Sequence, residues 1–263
     1  MAAESGKIDP MHQFHVEPLF GQDWTIAGQS IAFTNSSLWM LFTLLAVWLF
    51  MLGGMKRHLI PGRWQMAVEG VTSFVTNMMD ANIGPQGRKY VPYVFSLFMF
   101  ILFANILGLL PFGVIPGVHP FTVTSHLTVT AVLAIVSFAI VLIVGFAKHG
   151  FHFFSLFVPH GAPWWMMPIL VPVEFISFMV RPFSLALRLF VAMTAGHVLL
   201  KVLAGFVIQG VNLSSPLLTP LVAIPSFALM IGISGLELLV AAIQAYVFAL
   251  LTSLYLNDAV NLH

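Results

Sequence analysis

The twenty residues from Arg181 to Leu200 are RPFSLALRLFVAMTAGHVLL. This run is apolar enough to lie in a bilayer, yet Arg188 is near its middle and His197 follows nine residues later. An ionised group at bilayer depth costs ~2.5 kcal/mol or more, and arginine cannot avoid this cost by losing its proton. Snorkelling to the headgroups is the common alternative. No acidic residue lies between Leu189 and Leu200, so we expect the partner of Arg188 on another element.

The composition places the chain in a membrane. Hydrophobic residues make up 59% of the sequence and charged residues 7%, and the mean hydropathy is +0.99. Apolar runs of this kind need a lipid solvent, which excludes a soluble catalyst. The net charge of +1 gives no case for nucleic-acid binding. The absence of cysteine excludes disulfides and thiolate metal sites, and no phosphate-binding loop is present.

Hydropathy predicts an all-α polytopic protein with five transmembrane crossings. The predicted spans are residues 38–55, 91–110, 125–147, 164–207 and 217–256. The last two are about twice as long as a perpendicular span requires. No cluster of Gly, Asn and Ser between Phe175 and Ala204 favours a hairpin. We therefore expect two long, tilted helices, the first of which Pro182 could bend.

The remaining segments have a different character. Residues 63–83 interleave polar and apolar side chains, which predicts an amphipathic helix at the membrane interface. Residues 1–34 form an acidic external arm without the pattern of a signal peptide. The spacing of His12, His15 and Glu17 in this arm fits no standard metal site. Residues 35–263 are expected to form a single transmembrane domain.

Basic residues predict the orientation. Lys148 lies between spans three and four, whereas residues 111–124 and 208–216 contain no Lys or Arg. Five more basic residues lie between spans one and two: Lys56, Arg57, Arg63, Arg88 and Lys89. The positive-inside rule then places the N-terminus outside and the C-terminus in the cytoplasm. The fourth helix runs outward and the fifth returns inward.

Polar residues on the last two helices fall into three predicted layers. Glu237, Gln244 and Asp258 are seven and fourteen residues apart and therefore share one helical face. On the fourth helix, Glu174, Arg188 and His197 are separated by ~21 Å and ~13 Å along the axis. Antiparallel packing then places three pairs at matching depths, with His197 beside Glu237, Arg188 beside Gln244, and Glu174 beside Asp258.

The outer pair has the chemistry of proton exchange, because an imidazole and a buried carboxyl both titrate near neutral pH. A guanidinium in the middle layer would separate two polar pockets. The small residues Ser184, Ala192 and Ala195 beside it permit another helix to approach closely. Structural alternatives stay open: His197 and Glu237 could simply tie two helices together, Gln244 could be an interhelical contact, and Asp258 could be a solvated helix cap.

Two motifs on the last two spans resemble the a subunit of F-type ATP synthase, the membrane stator that faces the rotating c-ring. The first comprises Arg181-Pro182, Ser184-Leu185, Leu187 to Phe190, Met193 and Ala195 to His197. The second comprises Leu236-Glu237, Ala242 to Phe248 and Leu251 to Leu256. One departure is Ala192, where the family usually has Asn, so a hydrogen bond from that Asn is not expected here.

The resemblance implies a role in the Fo proton channel. Protons would enter by an outer half-channel through Glu237 and His197, neutralise a c-ring carboxylate opposite Arg188, and leave near Glu174 and Asp258. The implied partners are the c-ring, b-type peripheral stalk subunits and the rest of the F1Fo complex, in the inner membrane of a bacterium. No cofactor is implied, and ATP chemistry would belong to the partner subunits.

Two other classes of protein fit less well. A secondary transporter would show two related halves with broken helices at the midplane, whereas the spans here are unequal. A haem-bearing subunit needs His pairs at matching depth on neighbouring spans. Only His197 is clearly intramembrane.

Overall fold

The computed structural model describes residues 16, 18–20, 25–26, 29–30, 32–55, 62–110, 121–157, 164–211 and 218–261. The described residues form six α-helices: α1 (Asn35–Gly54), α2 (Arg63–Asn82), α3 (Val91–Leu109), α4 (Leu127–His149), α5 (Met167–Val211) and α6 (Leu218–Val260). Short 3-10 segments cover Pro85–Tyr90, Val123–Ser125, Gly150–Phe157 and Trp164–Met166.

Four strands of two or three residues precede α1. They are β1 (Pro18–Phe20), β2 (Thr25–Ile26), β3 (Gln29–Ser30) and β4 (Phe33–Thr34). β1 pairs with β4 and β2 with β3, both antiparallel. The β2–β3 pair lies between β1 and β4 in the sequence. Most of the predicted arm, with His12, His15 and Glu17, lies outside the described residues. Lys56 and Arg57 also lie outside them.

The five predicted crossings are confirmed as helices long and apolar enough to span a membrane. They are α1, Pro85–Leu109, Leu127–Phe157, α5 and Thr219–Val260 of α6. The protein is an all-α polytopic membrane protein, as the hydropathy pattern predicts. α2 is confirmed as a separate helix, and Val68, Val75 and Met79 form its buried face. Its location at the interface and the tilt of α5 and α6 stay predictions.

α5 and α6 are each one continuous helix, despite Pro172 and Pro182 in α5 and Pro225 in α6. Each internal proline removes one backbone hydrogen bond. Membrane helices tolerate this loss because neighbouring groups compensate for the freed carbonyl. The two helices are antiparallel and form the most extensive contact among the described elements. We call the end near Val211 the outer end and the end near Val260 the inner end, following the predicted orientation.

Besides its contact with α5, the inner end of α6 is attached to α2 and α4 by side-chain hydrogen bonds. Asn82 Nδ2 of α2 donates to Ser253 Oγ over 2.6 Å. At the last turn, Lys148 Nζ and His149 Nε2 of α4 both donate to the backbone carbonyl of Val260, over 2.9 Å and 3.1 Å. Terminal carbonyls of a helix lack intrahelical donors, so these two basic side chains cap α6.

Candidate functional site

His197 and Glu237 meet where α5 crosses α6 toward the outer end. His197 Nδ1 lies 3.9 Å from Glu237 Oε1, and the two residues are 9% and 3% exposed. The predicted alignment of these residues is therefore present in the structure. Among the described residues, neither carboxylate oxygen of Glu237 has a hydrogen-bond partner. A buried carboxyl with no hydrogen bond is costly, so this position calls for a physical explanation.

Gly196 provides the space that the Glu237 carboxyl occupies. A Cβ at residue 196 would lie 2.5 Å from Glu237 Oε1 and 2.8 Å from its Cδ. Such distances are far below van der Waals contact, so the Glu237 carboxyl would have to shift if residue 196 carried a side chain. The absence of a side chain at residue 196 therefore leaves space for the Glu237 carboxyl beside His197.

A third side chain, which the sequence analysis did not single out, completes this outer cluster. Thr122 precedes the 3-10 turn Val123–Ser125, and its Oγ1 lies 2.7 Å from His197 Nε2. Gly108 of α3 leaves room for it, because a Cβ there would be 2.8 Å from the Cβ of Thr122. The sequence contains one indication of this position, because three hydroxyl residues lie just before a span: Thr122, Thr124 and Ser125.

Buried polar contacts fix the 3-10 turn against α3 and α5, and Asn105 of α3 is also bonded to α6. Asn105 of α3 is fully buried, and its Oδ1 accepts from Thr124 Oγ1 over 2.7 Å. Its Nδ2 donates to the carbonyl of Ala241, one turn after Glu237 on α6, over 3.0 Å. Thr194 Oγ1 of α5 donates to the carbonyl of Ser125 over 3.3 Å. These bonds hold the turn, and with it Thr122, in a defined position.

Arg188 lies between the outer cluster and the inner end, with its side chain exposed. It makes no hydrogen bond or ion pair to any residue that the structure describes. Ala195 on the same face is exposed, and Ser184 and Ala192 are half-buried. Gln244 of α6 is half-buried and makes no direct hydrogen bond to Arg188 within the described ranges. The Arg188 guanidinium is therefore unpaired among the described residues and lies beside the small side chains of Ser184, Ala192 and Ala195.

An ion pair occupies the inner end. Asp258 Oδ2 lies 2.7 Å from Arg181 Nη1, and the Arg181 guanidinium packs over the rings of Phe178 and Tyr255 at 5.2 Å and 5.0 Å. Residue spacing places Asp258 in a layer with Glu174 and does not predict this contact with Arg181. Glu174 is half-buried and has no hydrogen bond or ion pair in the part of the chain that the structure describes.

α5 therefore carries two polar clusters separated by a cation. Arg188 is nine residues from His197 and seven from Arg181, which corresponds to ~13 Å and ~10 Å along the helix. Carboxyl and imidazole groups can take up and release protons, whereas a guanidinium stays charged. The helix pair therefore has titratable side chains toward both ends and a permanent cation between them.

Known proteins resemble this chain over most of its length. Residues 36–257 match the family described as ATP synthase A chain. The chain belongs to this family. Arg188, His197, Glu237 and Gln244 all fall within the matched residues, and Asp258 lies one residue beyond them.

Relatives in the family match over nearly their whole length. ATP synthase subunit a of Rhizorhabdus wittichii is 72% identical over 263 residues, and that of Sphingopyxis alaskensis is 70% identical over 263 residues; both alignments cover 100% of each chain. ATP synthase subunit a of Rhodospirillum rubrum is 48% identical over 255 residues, which is 97% of this chain and 99% of that one. The resemblance of the two motifs on α5 and α6 thus extends to the whole chain.

Proposed function

We propose that this chain is the stator subunit of the Fo proton channel of an ATP synthase, and that it forms two offset half-channels. The observation that carries the proposal is the exposed Arg188, unpaired within the described residues and flanked by proton-exchanging groups on both sides. A permanent cation at bilayer depth requires an anion. Since no carboxylate of the described residues supplies it, the anion comes from another subunit, the c-ring.

In the outer half-channel, protons pass through Glu237 and His197. The carboxyl and the imidazole are 3.9 Å apart, which is too long for a direct hydrogen bond and short enough for transfer after a small side-chain movement or through one water. Because both Glu237 oxygens are unpaired among the described residues, the carboxyl loses no fixed partner when it gains or releases a proton.

In the middle layer, Arg188 stabilises the ionised form of a c-ring carboxylate. Two unit charges 4 Å apart attract by roughly 4 kcal/mol at an effective dielectric constant near 20. A proton arriving from the outer half-channel removes this attraction, so the neutral carboxyl can leave toward the lipid as the ring turns. The small side chains of Ser184, Ala192 and Ala195 let the ring helix come close.

In the inner half-channel, Glu174 and Asp258 receive protons from the ring and release them to the cytoplasm. The ion pair with Arg181 fixes the position of Asp258 at the exit of this half-channel. The charge of Arg188 repels a proton that would pass directly between the half-channels. Proton flow is thereby coupled to rotation and to ATP synthesis.

Nucleotide chemistry in this proposal belongs to partner subunits of the F1Fo complex. The chain itself is a multi-pass subunit of the bacterial inner membrane with its N-terminus outside, held by b-type peripheral stalk subunits. A haem-ligating role for His197 is disfavoured, because both ring nitrogens already face other groups, Thr122 and Glu237.

Cross-linking tests whether the Arg188 face contacts the c-ring. The chain has no cysteine, so single cysteines can be introduced without a background. With a second cysteine beside the ring carboxylate, we expect Ala195→Cys to form a disulfide after mild oxidation, since disulfides require Cα atoms roughly 4.4–6.8 Å apart. The matched control is Ile135→Cys on α4, which is 60% exposed on a different helix.

Cross-linking is measured as a shifted band on denaturing gels of membranes that contain the assembled complex. A product with Ala195→Cys and none with Ile135→Cys supports the proposed interface. The reverse pattern would place the ring on another face of the protein and would remove the partner assigned to Arg188.

Replacement of Gly196 with alanine should impair proton movement without loss of the complex. The added Cβ would lie 2.5 Å from Glu237 Oε1 and so displace the carboxyl from His197. Because misplacement by about 1 Å can cost up to ~100-fold in rate, we expect a loss of ATP-driven pumping of roughly tenfold or more. The control is Gly70→Ala in α2, where a Cβ meets nothing within 4 Å. Equal pumping by the two variants would show that the position of the carboxyl is not critical.

A further inference from the structure

We propose that the hydroxyl group of Thr122 is a positioning group for His197: it remains hydrogen-bonded to Nε2 in both protonation states of the imidazole and so keeps Nδ1 directed at Glu237. This inference rests on the proposed proton-transfer role of the His197–Glu237 pair. It adds a residue from the 3-10 turn before α4 to a site otherwise built from α5 and α6.

Among the described residues, each ring nitrogen of His197 faces one polar side chain, and the charge of Lys201 acts on the ring from the same helix. Nε2 lies 2.7 Å from Thr122 Oγ1, at the short end of hydrogen-bond distances, and Nδ1 faces Glu237 Oε1 at 3.9 Å. Thr122 is 6% exposed and His197 9% exposed, so water has little access to either group. The orientation of the ring is therefore set by the bond to Thr122, since the contact with Glu237 is too long to fix it.

The chemistry of a hydroxyl suits this position. A hydroxyl both donates and accepts, and its hydrogen rotates to suit the neighbour. When neutral His197 carries its proton on Nε2, Nε2–H donates to Thr122 Oγ1 and Nδ1 can accept a proton. In the imidazolium, Nε2–H still donates to Oγ1, and Nδ1–H faces Glu237. If the neutral ring carries its proton on Nδ1 instead, the hydroxyl donates to Nε2. A carbonyl could only accept and an ammonium could only donate, so neither would pair with Nε2 in all three forms. With Thr122, the proton on Nδ1 is gained and lost without leaving Nε2 unpaired.

The local fold holds the hydroxyl in place through other atoms of Thr122. The backbone carbonyl of Thr122 accepts from Ser125 Oγ over 2.6 Å and from the Ser125 amide over 3.2 Å, which closes the 3-10 turn. Gly108 leaves space for the side chain. Within the described residues, His197 is the hydrogen-bond partner of Oγ1, so removing the hydroxyl affects the imidazole and leaves the turn intact.

The test uses two pairs that differ by the hydroxyl alone, each measured in the assembled complex. Wild type and Thr122→Val are nearly isosteric, and Thr122→Ser and Thr122→Ala share the loss of the methyl group. The control is Thr130→Val, because Thr130 is also buried but its hydroxyl donates to the carbonyl of Leu127 on its own helix. ATP-driven proton pumping in inverted vesicles is recorded as a function of pH for all five proteins.

We expect the variants without the hydroxyl, Thr122→Val and Thr122→Ala, to lose pumping by roughly tenfold, the usual effect of an unpaired buried polar group. Their pH profile should move to lower pH, because the imidazolium loses its acceptor and forms less readily. Thr122→Ser should retain the rate and profile of wild type, as should Thr130→Val. If Thr122→Val fails to assemble, the Ala and Ser variants carry the same comparison.

Two results would overturn the positioning role: Thr122→Ser as impaired as Thr122→Ala, or all variants equal to wild type. Glu237→Gln is measured in parallel to separate this inference from the proposed function. If Glu237→Gln pumps like wild type, the proton-transfer role of the pair is wrong and the inference fails with it. If Glu237→Gln is impaired while Thr122→Val is not, only the role of Thr122 is wrong.

Discussion

Arg188→Ala should abolish ATP-driven proton pumping in inverted vesicles while the complex still assembles, and it should introduce a passive proton leak. Arg188 makes no hydrogen bond or ion pair to the described residues, so its removal breaks no described contact that holds α5 in place. Without the guanidinium, the ring carboxylate loses its stabilising cation, and nothing charged separates the two polar clusters. Pumping is followed with a pH-sensitive dye, and leak by the decay of an imposed pH gradient.

The control for this prediction is Arg63→Ala, which removes an exposed arginine at the start of α2. It should pump at the rate of wild type and show no added leak. Pumping by Arg188→Ala near the wild-type rate would make Arg188 a snorkelling or structural residue. The separation of the half-channels would then need another cause.

Glu237→Gln should also abolish most of the pumping, but without a leak. Glutamine has nearly the shape of glutamate and cannot take up a proton at its side chain. Since neither Glu237 oxygen is hydrogen-bonded within the described residues, the exchange removes no described hydrogen bond and the fold should be kept. Arg188 remains in place, so the half-channels stay separated. Loss of pumping without a passive proton leak distinguishes this variant from Arg188→Ala.

Two further variants complete the experiment on Glu237. Glu237→Asp keeps a titratable acid at a shorter reach and should recover part of the activity. Glu69→Gln removes an exposed carboxyl on α2 and should have no effect. Full pumping by Glu237→Gln would show that the pair with His197 only connects α5 and α6.

The fold was predictable from the sequence because hydropathy and helix length are local properties. A run of about twenty apolar residues has no stable state in water, and a run twice as long without a hairpin signal stays one helix. Pro182 and Pro225 did not interrupt α5 and α6, as the absence of turn residues around Pro182 indicated. The short strands before α1 were not predicted, since pairs of two or three residues leave no clear period.

The site was predictable only where it depends on residue spacing along two antiparallel helices. That spacing brought His197 to Glu237. Thr122 was not predicted, because its position depends on a 3-10 turn and on the hydrogen bonds of Asn105. Neither feature leaves a periodic pattern in the sequence. The contact between Arg181 and Asp258 was not predicted, because Arg181 lies about five residues, or ~7.5 Å along the helix axis, from the level of Asp258. Only the length of an arginine side chain covers that offset.

The attachment of the inner end of α6 has a mechanical consequence. In the proposed mechanism the turning ring exerts a force on this subunit, and α6 could then shift against its neighbours. Ser253, Asp258 and Val260 tie the last turns of α6 to α2, α5 and α4 respectively, so a shift must break bonds to three helices together. A shift of one helical turn would be ~5.4 Å. This exceeds the 3.9 Å between His197 and Glu237, so these bonds would preserve the alignment that the proposed proton transfer requires.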